Sequence, residues 1–150
     1  NISNPTVSTM MRIADALEET LSGFFMNIDE GKSSPIETSK ETPNISSKDG
    51  LCELSILGAG ETVSWLQWYV LTMKPKGKLP SKSHGSNTFE NITVISGEVV
   101  VYLKKQSETL KAGDTFRFPT NQEHTLMNKS KTISKVLMVN YIDPINGSFN

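Results

Sequence analysis

The chain has 150 residues, which is enough for one or two small domains. Hydrophobic residues make up 36% of it and charged residues 21%, which leaves room for one apolar core and some solvated chain. The net charge of -1 excludes a general basic attraction to nucleic acid or to an anionic membrane. The single cysteine, Cys52, excludes an intramolecular disulfide.

The sequence shows neither a targeting pattern nor a membrane-spanning one. It contains no apolar run of about 18 residues, the minimum for a membrane span. The opening residues NISNPTVSTM lack the basic-then-apolar order of a signal peptide. We therefore expect a cytoplasmic protein with no membrane partner. Because the chain opens with Asn1 close to the start of a helix, we also expect a further N-terminal part.

Residues 6–25 have the pattern of an amphipathic helix. Apolar residues recur at steps of three and four, at Val7, Met10, Met11, Ala14, Leu17, Leu21, Phe24 and Phe25. Thr6 or Ser8 is suited to cap the first N–H groups, and Thr20 leaves open a second short helix. A helix this short cannot bury its apolar face alone. We expect its partner to be the missing N-terminal part or another chain.

Residues 27–50 have the composition of a linker. Their apolar side chains are Ile28, Ile36 and Ile45, whereas Pro, Ser, Thr, Lys and Glu dominate. Such a segment buries too little surface to offset the entropy of ordering it. We therefore place a domain boundary here.

Residues 51–142 have the pattern of successive short strands. Seven segments are rich in β-branched and aromatic residues: LCELSIL, SWLQWYVLTM, ENITVI, EVVVYL, TFRFP, HTLMN and SKVLMVNYI. Turn signals separate them: GAGE, KPKGKLPSKSHGSN, SGE, KAGD and PTNQ. Many short strands with frequent turns predict a mainly β sandwich or closed barrel.

Both histidines of the sequence, His84 and His124, fall in this β region. Within a strand, Glu90 shares a face with Ile92, and His124 shares a face with Leu126. Closing the sheet would bring these polar groups together in an apolar interior. Burying a carboxylate and two imidazoles is costly unless they pair with each other or hold a cation. The three side chains are therefore the candidate site.

The stretch HGSNTFENITVISG resembles the first motif of the cupin family, which reads His-x-His, three or four residues, Glu, six residues and Gly. His84, Glu90 and Gly97 stand at the family spacing, whereas Ser86 replaces the second histidine. Gly77, the glycine before this motif, is one residue out of place.

The stretch GDTFRFPTNQEHTLMN resembles the second cupin motif. The matching positions are Gly113, Pro119, His124 and Asn128. Asn121 stands where the family usually has Gly. The two motifs together imply that residues 51–150 form a cupin double-stranded β-helix, which is a jelly-roll barrel.

The resemblance also implies a ligand set. Metal-dependent cupins bind metal through the two motif-one histidines, the glutamate and the motif-two histidine. Here His84, Glu90 and His124 remain as candidate ligands for Zn, Fe, Mn or Ni. The alternative is a metal-free pocket in which these three bind a ligand, water or each other. A small polar effector would then contact the same three residues with Ser86 and Asn128.

The stretch SNPTVSTMMRIADALEETLSGFF resembles the C-terminal helices of an XRE-type helix-turn-helix domain, the phage-repressor-like class. The matching positions are Pro5, Thr9, Ile13, Ala14, Leu17, Phe24 and Phe25. In that family the recognition helix precedes the SNP turn, so we expect it before Asn1. Ser3, Asn4 and Thr6 are candidate contacts to the DNA backbone. The alternative is that they only shape a turn and cap a helix.

The two resemblances divide the chain into residues 1–26, the end of a DNA-binding domain, residues 27–50, a linker, and residues 51–150, an effector-binding barrel. They imply a bacterial transcription regulator that binds DNA and senses a small metabolite. A palindromic DNA site would make it a homodimer. The alternative is a small metal-dependent cupin enzyme, a dioxygenase or isomerase.

Four lysines, Lys74, Lys76, Lys78 and Lys82, precede the first motif. They are candidates to receive an anionic effector or DNA phosphate. The alternative, which is the commoner case for such a run, is a solvated loop.

Overall fold

The computed structural model describes residues 6–17, 36, 38–57, 65–84 and 87–142. Within these ranges one helix, α1 (Val7–Ala16), precedes the strands. The strands are β1 (Asn44–Ser46), β2 (Cys52–Leu57), β3 (Leu66–Met73), β4 (Lys78–Ser81), β5 (Thr88–Ser96), β6 (Glu98–Leu103), β7 (Ser107–Lys111), β8 (Thr115–Pro119), β9 (His124–Met127) and β10 (Ser134–Ile142). The prediction of a mainly β fold is confirmed. Among the described segments, none forms an apolar helix of membrane-spanning length.

The strands form two antiparallel sheets. One has the order β1-β2-β3-β10-β5-β8 and the other the order β4-β9-β6-β7. Side chains of the larger sheet alternate between the interior and the outside most clearly in β3, where every second residue is buried. Residues of both sheets meet in one apolar core, which includes Leu71, Ile92, Val94, Val99, Val101, Leu126 and Val136.

The interior of the larger sheet is built in layers across three neighbouring strands. Gln67, Asn140 and Glu90 stand side by side on β3, β10 and β5. The next two inward layers are Tyr69, Met138 and Ile92, then Leu71, Val136 and Val94. The barrel is thus polar at one end and apolar towards the other, and this gradient positions the site.

All seven segments predicted as strands contain a strand, but the sequence missed β1, β4 and β7. Each missed strand lies at a sheet edge and buries one apolar side chain, Ile45, Leu79 or Leu110. A single apolar residue cannot show the alternation of apolar and polar residues by which a strand is recognised. β4 also contains Pro80, which lacks an N–H and is tolerated at an edge. Because β1 falls within residues 27–50, the sheet begins inside the predicted linker.

Gly97 makes the tight turn between β5 and β6. Its φ is +78°, and a Cβ there would lie 2.6 Å from the Ser134 hydroxyl oxygen and 2.8 Å from the Ile133 carbonyl oxygen. The last position of the first motif therefore requires glycine for both conformation and space.

Helix α1 packs its apolar face on the barrel. Val7, Met10 and Ala14 are at most 4% exposed, and the first two join the core cluster of the strands. The predicted partner of this face, a missing segment or another chain, is wrong for these residues. Steps of three and four residues indicate an apolar face but not the surface that it meets. Predicted helix residues 18–25 lie outside the described residues.

Candidate functional site

A buried carboxylate and a buried imidazole face each other inside the barrel. Glu90, at an inward position of β5, is 0% exposed, and His124, which begins β9, is 3% exposed. The strands belong to opposite sheets, so the side chains approach across the interior to 3.4 Å, between His124 Nε2 and Glu90 Oε2. Their alignment does not make a hydrogen bond. Both Glu90 oxygens and His124 Nε2 are buried without a hydrogen-bond partner.

The orientation of the His124 ring favours a cation at this place. Nδ1 lies 3.3 Å from the Gln122 carbonyl oxygen, which can only accept, so Nδ1 carries the proton. In the neutral ring, the lone pair of Nε2 then faces the Glu90 carboxylate. Burial lowers the pKa of His124, but the nearby Glu90 and the Gln122 carbonyl outweigh it and raise the pKa above its ordinary value.

His84 completes the cluster from the segment after β4. One donor atom from each of His84, Glu90 and His124 lies within 4.8 Å of the others. The two imidazole rings meet edge to face, with centroids 5.4 Å apart. The His84 backbone N–H donates to the Thr120 carbonyl at 2.8 Å, which fixes the segment. His84 is exposed, so the cluster has one buried and one open side.

The residue types of this cluster fit a divalent transition metal. Two imidazole nitrogens and a carboxylate are the usual donors, and three protein ligands leave positions open for another molecule. Three buried polar atoms without partners cost about 1–3 kcal/mol each. A cation or a polar ligand between them removes that cost. Ser86, the fourth predicted position, lies outside the described residues, so its ligand contact stays a prediction.

An inner cavity of about 190 Å³ adjoins the cluster. Its polar lining includes Gln67, Tyr69, Ser81, His84, Thr88, Glu90, Thr120 and Asn140. The Tyr69 hydroxyl donates to Gln67 Oε1 at 2.8 Å, and the Thr120 hydroxyl donates to that of Thr88 at 2.7 Å. Asn140 Oδ1 is buried without a hydrogen-bond partner. The cavity therefore offers both donors and acceptors to a small polar molecule.

Most residues of this lining were not predicted from the sequence. Gln67 and Asn140 occupy inward positions on β3 and β10, in alternation with Tyr69 and Met138. A polar residue at such a position near a strand end is the signal that was available. What the sequence did not give is the register that sets both beside Glu90.

Asn128 was predicted to bind a ligand, and the structure corrects this. It is 0% exposed and does not line either pocket of the site. Its Nδ2 donates to the carbonyl oxygens of Met73 at 3.0 Å and Thr132 at 2.7 Å. Its Oδ1 accepts from the Ser130 N–H at 2.9 Å and hydroxyl at 2.7 Å. The side chain is fully used in closing the turn after β9.

Helix α1 contributes to the wall of the inner cavity through Met11 and Ala14. The helix begins after Thr6, whose hydroxyl accepts from the Thr9 N–H at 3.4 Å in the manner of a weak cap. Contact of Thr6 with DNA stays a prediction. Ser3 and Asn4, the other predicted backbone contacts, lie outside the described residues.

A larger outer pocket of about 900 Å³ lies between α1, the β1–β2 turn, β4 and the start of β9. His84 lines both this pocket and the inner cavity, so the two spaces meet at the cluster. Of the four lysines noted in the sequence, Lys78 and Lys82 line the outer pocket, whereas Lys74 and Lys76 do not.

The fold and both motifs agree with the comparison to known families. The model of the cupin domain, Cupin_2, matches residues 69–140, a range that contains Glu90 and His124. This part of the chain therefore has the cupin fold. No curated protein sequence matches this one.

Solved structures with this cupin fold include two transcription regulators and an enzyme. An HTH_3 family transcriptional regulator from Vibrio cholerae is 22% identical with a TM-score of 0.72, covering 95% of this chain and 75% of that one. The Cupin_2 domain of an XRE family transcriptional regulator from Enterobacter cloacae is 18% identical with a TM-score of 0.59, covering 63% and 99%. A sugar phosphate isomerase of the cupin superfamily from Silicibacter pomeroyi is 21% identical with a TM-score of 0.52, covering 63% and 61%.

These identities establish a shared fold and leave function open. The predicted cupin barrel is confirmed. The helix-turn-helix stays a prediction, because α1 is the one helix in the residues that the structure describes.

Proposed function

We propose that this chain is the sensing part of a bacterial transcription regulator. An N-terminal helix-turn-helix would bind DNA, and the cupin barrel would bind a small metabolite beside His84, Glu90 and His124. Two of the similar structures are transcription regulators by their names, and this supports the proposal without deciding it.

The observation that carries the proposal is the place of α1. This helix resembles the last part of a helix-turn-helix domain, and its Met11 and Ala14 form part of the cavity wall. A molecule in the cavity therefore touches the barrel and the helix at once. A ligand shifts an equilibrium only when it binds one state better than the other. Contact with α1 supplies this difference in affinity, because a movement of the helix would change the wall of the cavity and so its affinity for the ligand.

The effector in this proposal is small and polar. The inner cavity of about 190 Å³ is lined by hydroxyl, amide and carboxylate groups at its polar end. Glu90 and Asn140 supply buried oxygens that lack hydrogen-bond partners. A ligand with donor groups would satisfy both. Ser86 is proposed as a further contact from the segment that follows His84.

A divalent metal, Zn, Fe, Mn or Ni, is proposed as an optional cofactor held by His84, Glu90 and His124. Such an ion acts as a Lewis acid that polarises an oxygen atom bound to it. The protein side chains fix the position of the donor atoms and exclude water from them. The Gln122 carbonyl holds the His124 ring through Nδ1, and Glu90 is fully buried. Exposed His84 faces the side from which a ligand enters.

We further propose that the regulator acts in the cytoplasm as a homodimer. The outer face of the larger sheet supports this, because Trp68, Val70, Leu137 and Val139 lie there and are only half-buried. A symmetric dimer would place two DNA-binding units on a palindromic site. Thr6, Ser3 and Asn4 would then lie near the DNA backbone.

DNA selection with the full-length protein tests the proposal. Random duplexes are enriched by binding, and the affinity for the selected site is compared with that for a scrambled site. We expect at least a roughly thousandfold preference, the usual ratio for a specific regulator. A full-length protein without sequence-selective DNA binding would contradict the proposal. Met11→Glu, which changes the cavity wall from the helix side, should alter the ligand response and spare basal DNA binding.

A metal-dependent cupin enzyme, a dioxygenase or isomerase, is the second candidate. It is favoured by the donor atoms of His84, Glu90 and His124, which lie within 4.8 Å of one another beside an open cavity. The number of metal ions bound per protomer distinguishes the enzyme from the regulator. About one tightly bound metal per protomer, lost in His124→Ala, would support the enzyme. A metal-free protein that cannot be reloaded would exclude it.

A further inference from the structure

The outer pocket has an excess of positive charge around it. Four cationic side chains, Arg12, Lys48, Lys78 and Lys82, line it beside two carboxylates, Asp49 and Glu123. The Asp49 carboxylate is already used, because it accepts from the Ser47 hydroxyl at 2.6 Å and the Leu51 N–H at 3.0 Å. In the described ranges none of the four cations is in an ion pair. The pocket thus has cationic groups that are not neutralised by the protein.

Two walls of the pocket, α1 and β4, supply three of these cations, and Lys48 comes from the β1–β2 turn. Lys78 and Lys82 stand four residues apart along the edge strand β4 and its end, with exposed Pro80 between them. Arg12 comes from α1, where its exposed side chain lines the pocket together with Val7 and Met11. An anion placed between the walls would meet charge from both.

We propose that the effector carries a carboxylate or a phosphate group, which is bound in the outer pocket by Arg12, Lys78 and Lys82. This inference rests on the proposed sensing function and adds the chemical class of the ligand. Arg12 is the group through which the anion holds α1 against the barrel. Guanidinium and ammonium groups are the usual partners of such anions.

The buried carboxylate of Glu90 determines which end of the proposed ligand enters the inner cavity. Glu90, fully enclosed beside the inner cavity, repels an anion, so the charged end stays in the outer pocket. His84 lines both spaces and connects them. A molecule that is anionic at one end would fit the cationic outer pocket, and hydroxyl or amine groups at its other end would fit the polar inner cavity.

DNA phosphate is the competing partner for the same cations. The shape of the surface favours a small molecule, because these side chains surround a concave space of about 900 Å³ rather than a flat face. A DNA duplex is far wider than such a pocket. The two sources of phosphate are separated by experiment.

The test measures binding of three probes to the full-length protein by calorimetry at low ionic strength. Glutarate and inorganic phosphate carry the proposed charge, and glutaramide is the neutral match of glutarate. We expect the two anions to bind at millimolar concentration and glutaramide to bind more weakly. R12Q and K78Q/K82Q should each weaken anion binding about fivefold, and added salt should do the same. K104Q/K105Q, in the exposed β6–β7 turn, should leave it unchanged.

Equal binding of both anions to the wild type and to R12Q/K78Q/K82Q would overturn the proposal. So would a result in which these substitutions weaken binding to DNA but leave anion binding unchanged. If the full-length protein selects DNA but these anions do not bind, only the anionic class of the effector fails. If it selects no DNA, the sensing function itself fails.

Discussion

Two polar side chains in this barrel are equally buried and differ in every other respect. Asn128 and Glu90 are both 0% exposed. Asn128 takes part in four hydrogen bonds around the turn after β9, whereas neither oxygen of Glu90 has a hydrogen-bond partner. A buried polar group with all its partners stabilises the fold, and one without hydrogen-bond partners is a candidate to bind a ligand, an ion or water. Burial alone therefore does not mark a candidate functional residue, but burial without hydrogen-bond partners does.

The largest expected effect is on the satisfied residue. Asn128→Ala removes four hydrogen bonds and leaves the Met73 carbonyl buried without that donor, so we expect a loss of about 2–4 kcal/mol in the free energy of unfolding. Urea unfolding at neutral pH measures it. Asn91→Ala is the matched control, because Asn91 accepts one bond from exposed Arg117 on the outer face and should lose under about 1 kcal/mol. A similar loss in both variants would show that the four hydrogen bonds of Asn128 do not stabilise the fold more than the single bond of Asn91.

The second prediction concerns the unsatisfied residue. Glu90→Met replaces a buried carboxylate with an apolar side chain of similar size. We expect the free energy of unfolding to rise by about 1–2 kcal/mol in chelator-treated protein without effector, because both carboxylate oxygens are buried without a hydrogen-bond partner. Binding of metal or effector should be lost in the same variant. A protein destabilised to the same degree as Asn128→Ala would show that Glu90 is a structural residue too.

The smallest effect is the dependence of stability on pH. The pKa of His124 is raised above its ordinary value of 6.5 in the folded protein. Its contribution is therefore complete below that value and is lost as the pH rises through the folded pKa. In chelator, the stability difference between wild type and His124→Gln should be larger at about pH 6 than at about pH 8. The loss in Asn128→Ala should stay constant, since an amide does not titrate. A difference for His124→Gln that grows with pH would contradict the raised pKa.

The sequence predicted the strands that lie in the middle of a sheet better than most of those at its edges. The segments that became β3, β5, β6 and β10 carry several β-branched or aromatic residues each, so their strand composition is visible in the sequence. The edge strand β7 carries one buried residue, Leu110, and its sequence SETLK lacks that signal. Packing at an edge is decided by the neighbouring strand rather than by local composition.

The candidate site was predicted in part, for a similar reason. The spacing of His84, Glu90 and His124 matches two family motifs, and the structure brings all three together. Gln67 and Asn140 were missed because only strand register places them beside Glu90. The resemblance also carried Asn128 into the ligand set. The motif position is right for the fold, but the side chain points into a turn and not into the pocket.

If the buried atoms of Glu90 and His124 that lack hydrogen-bond partners form a binding site, they hold a ligand or a metal. Native mass spectrometry with elemental analysis tests this most directly, on wild type and Glu90→Gln exposed to a bacterial metabolite extract and to Zn, Fe, Mn and Ni ions. We predict a small molecule or a metal at a fixed stoichiometry on the wild type, and its loss from Glu90→Gln while Asn91→Ala retains it. The same bound species on wild type and Glu90→Gln, or none on either, would contradict the account.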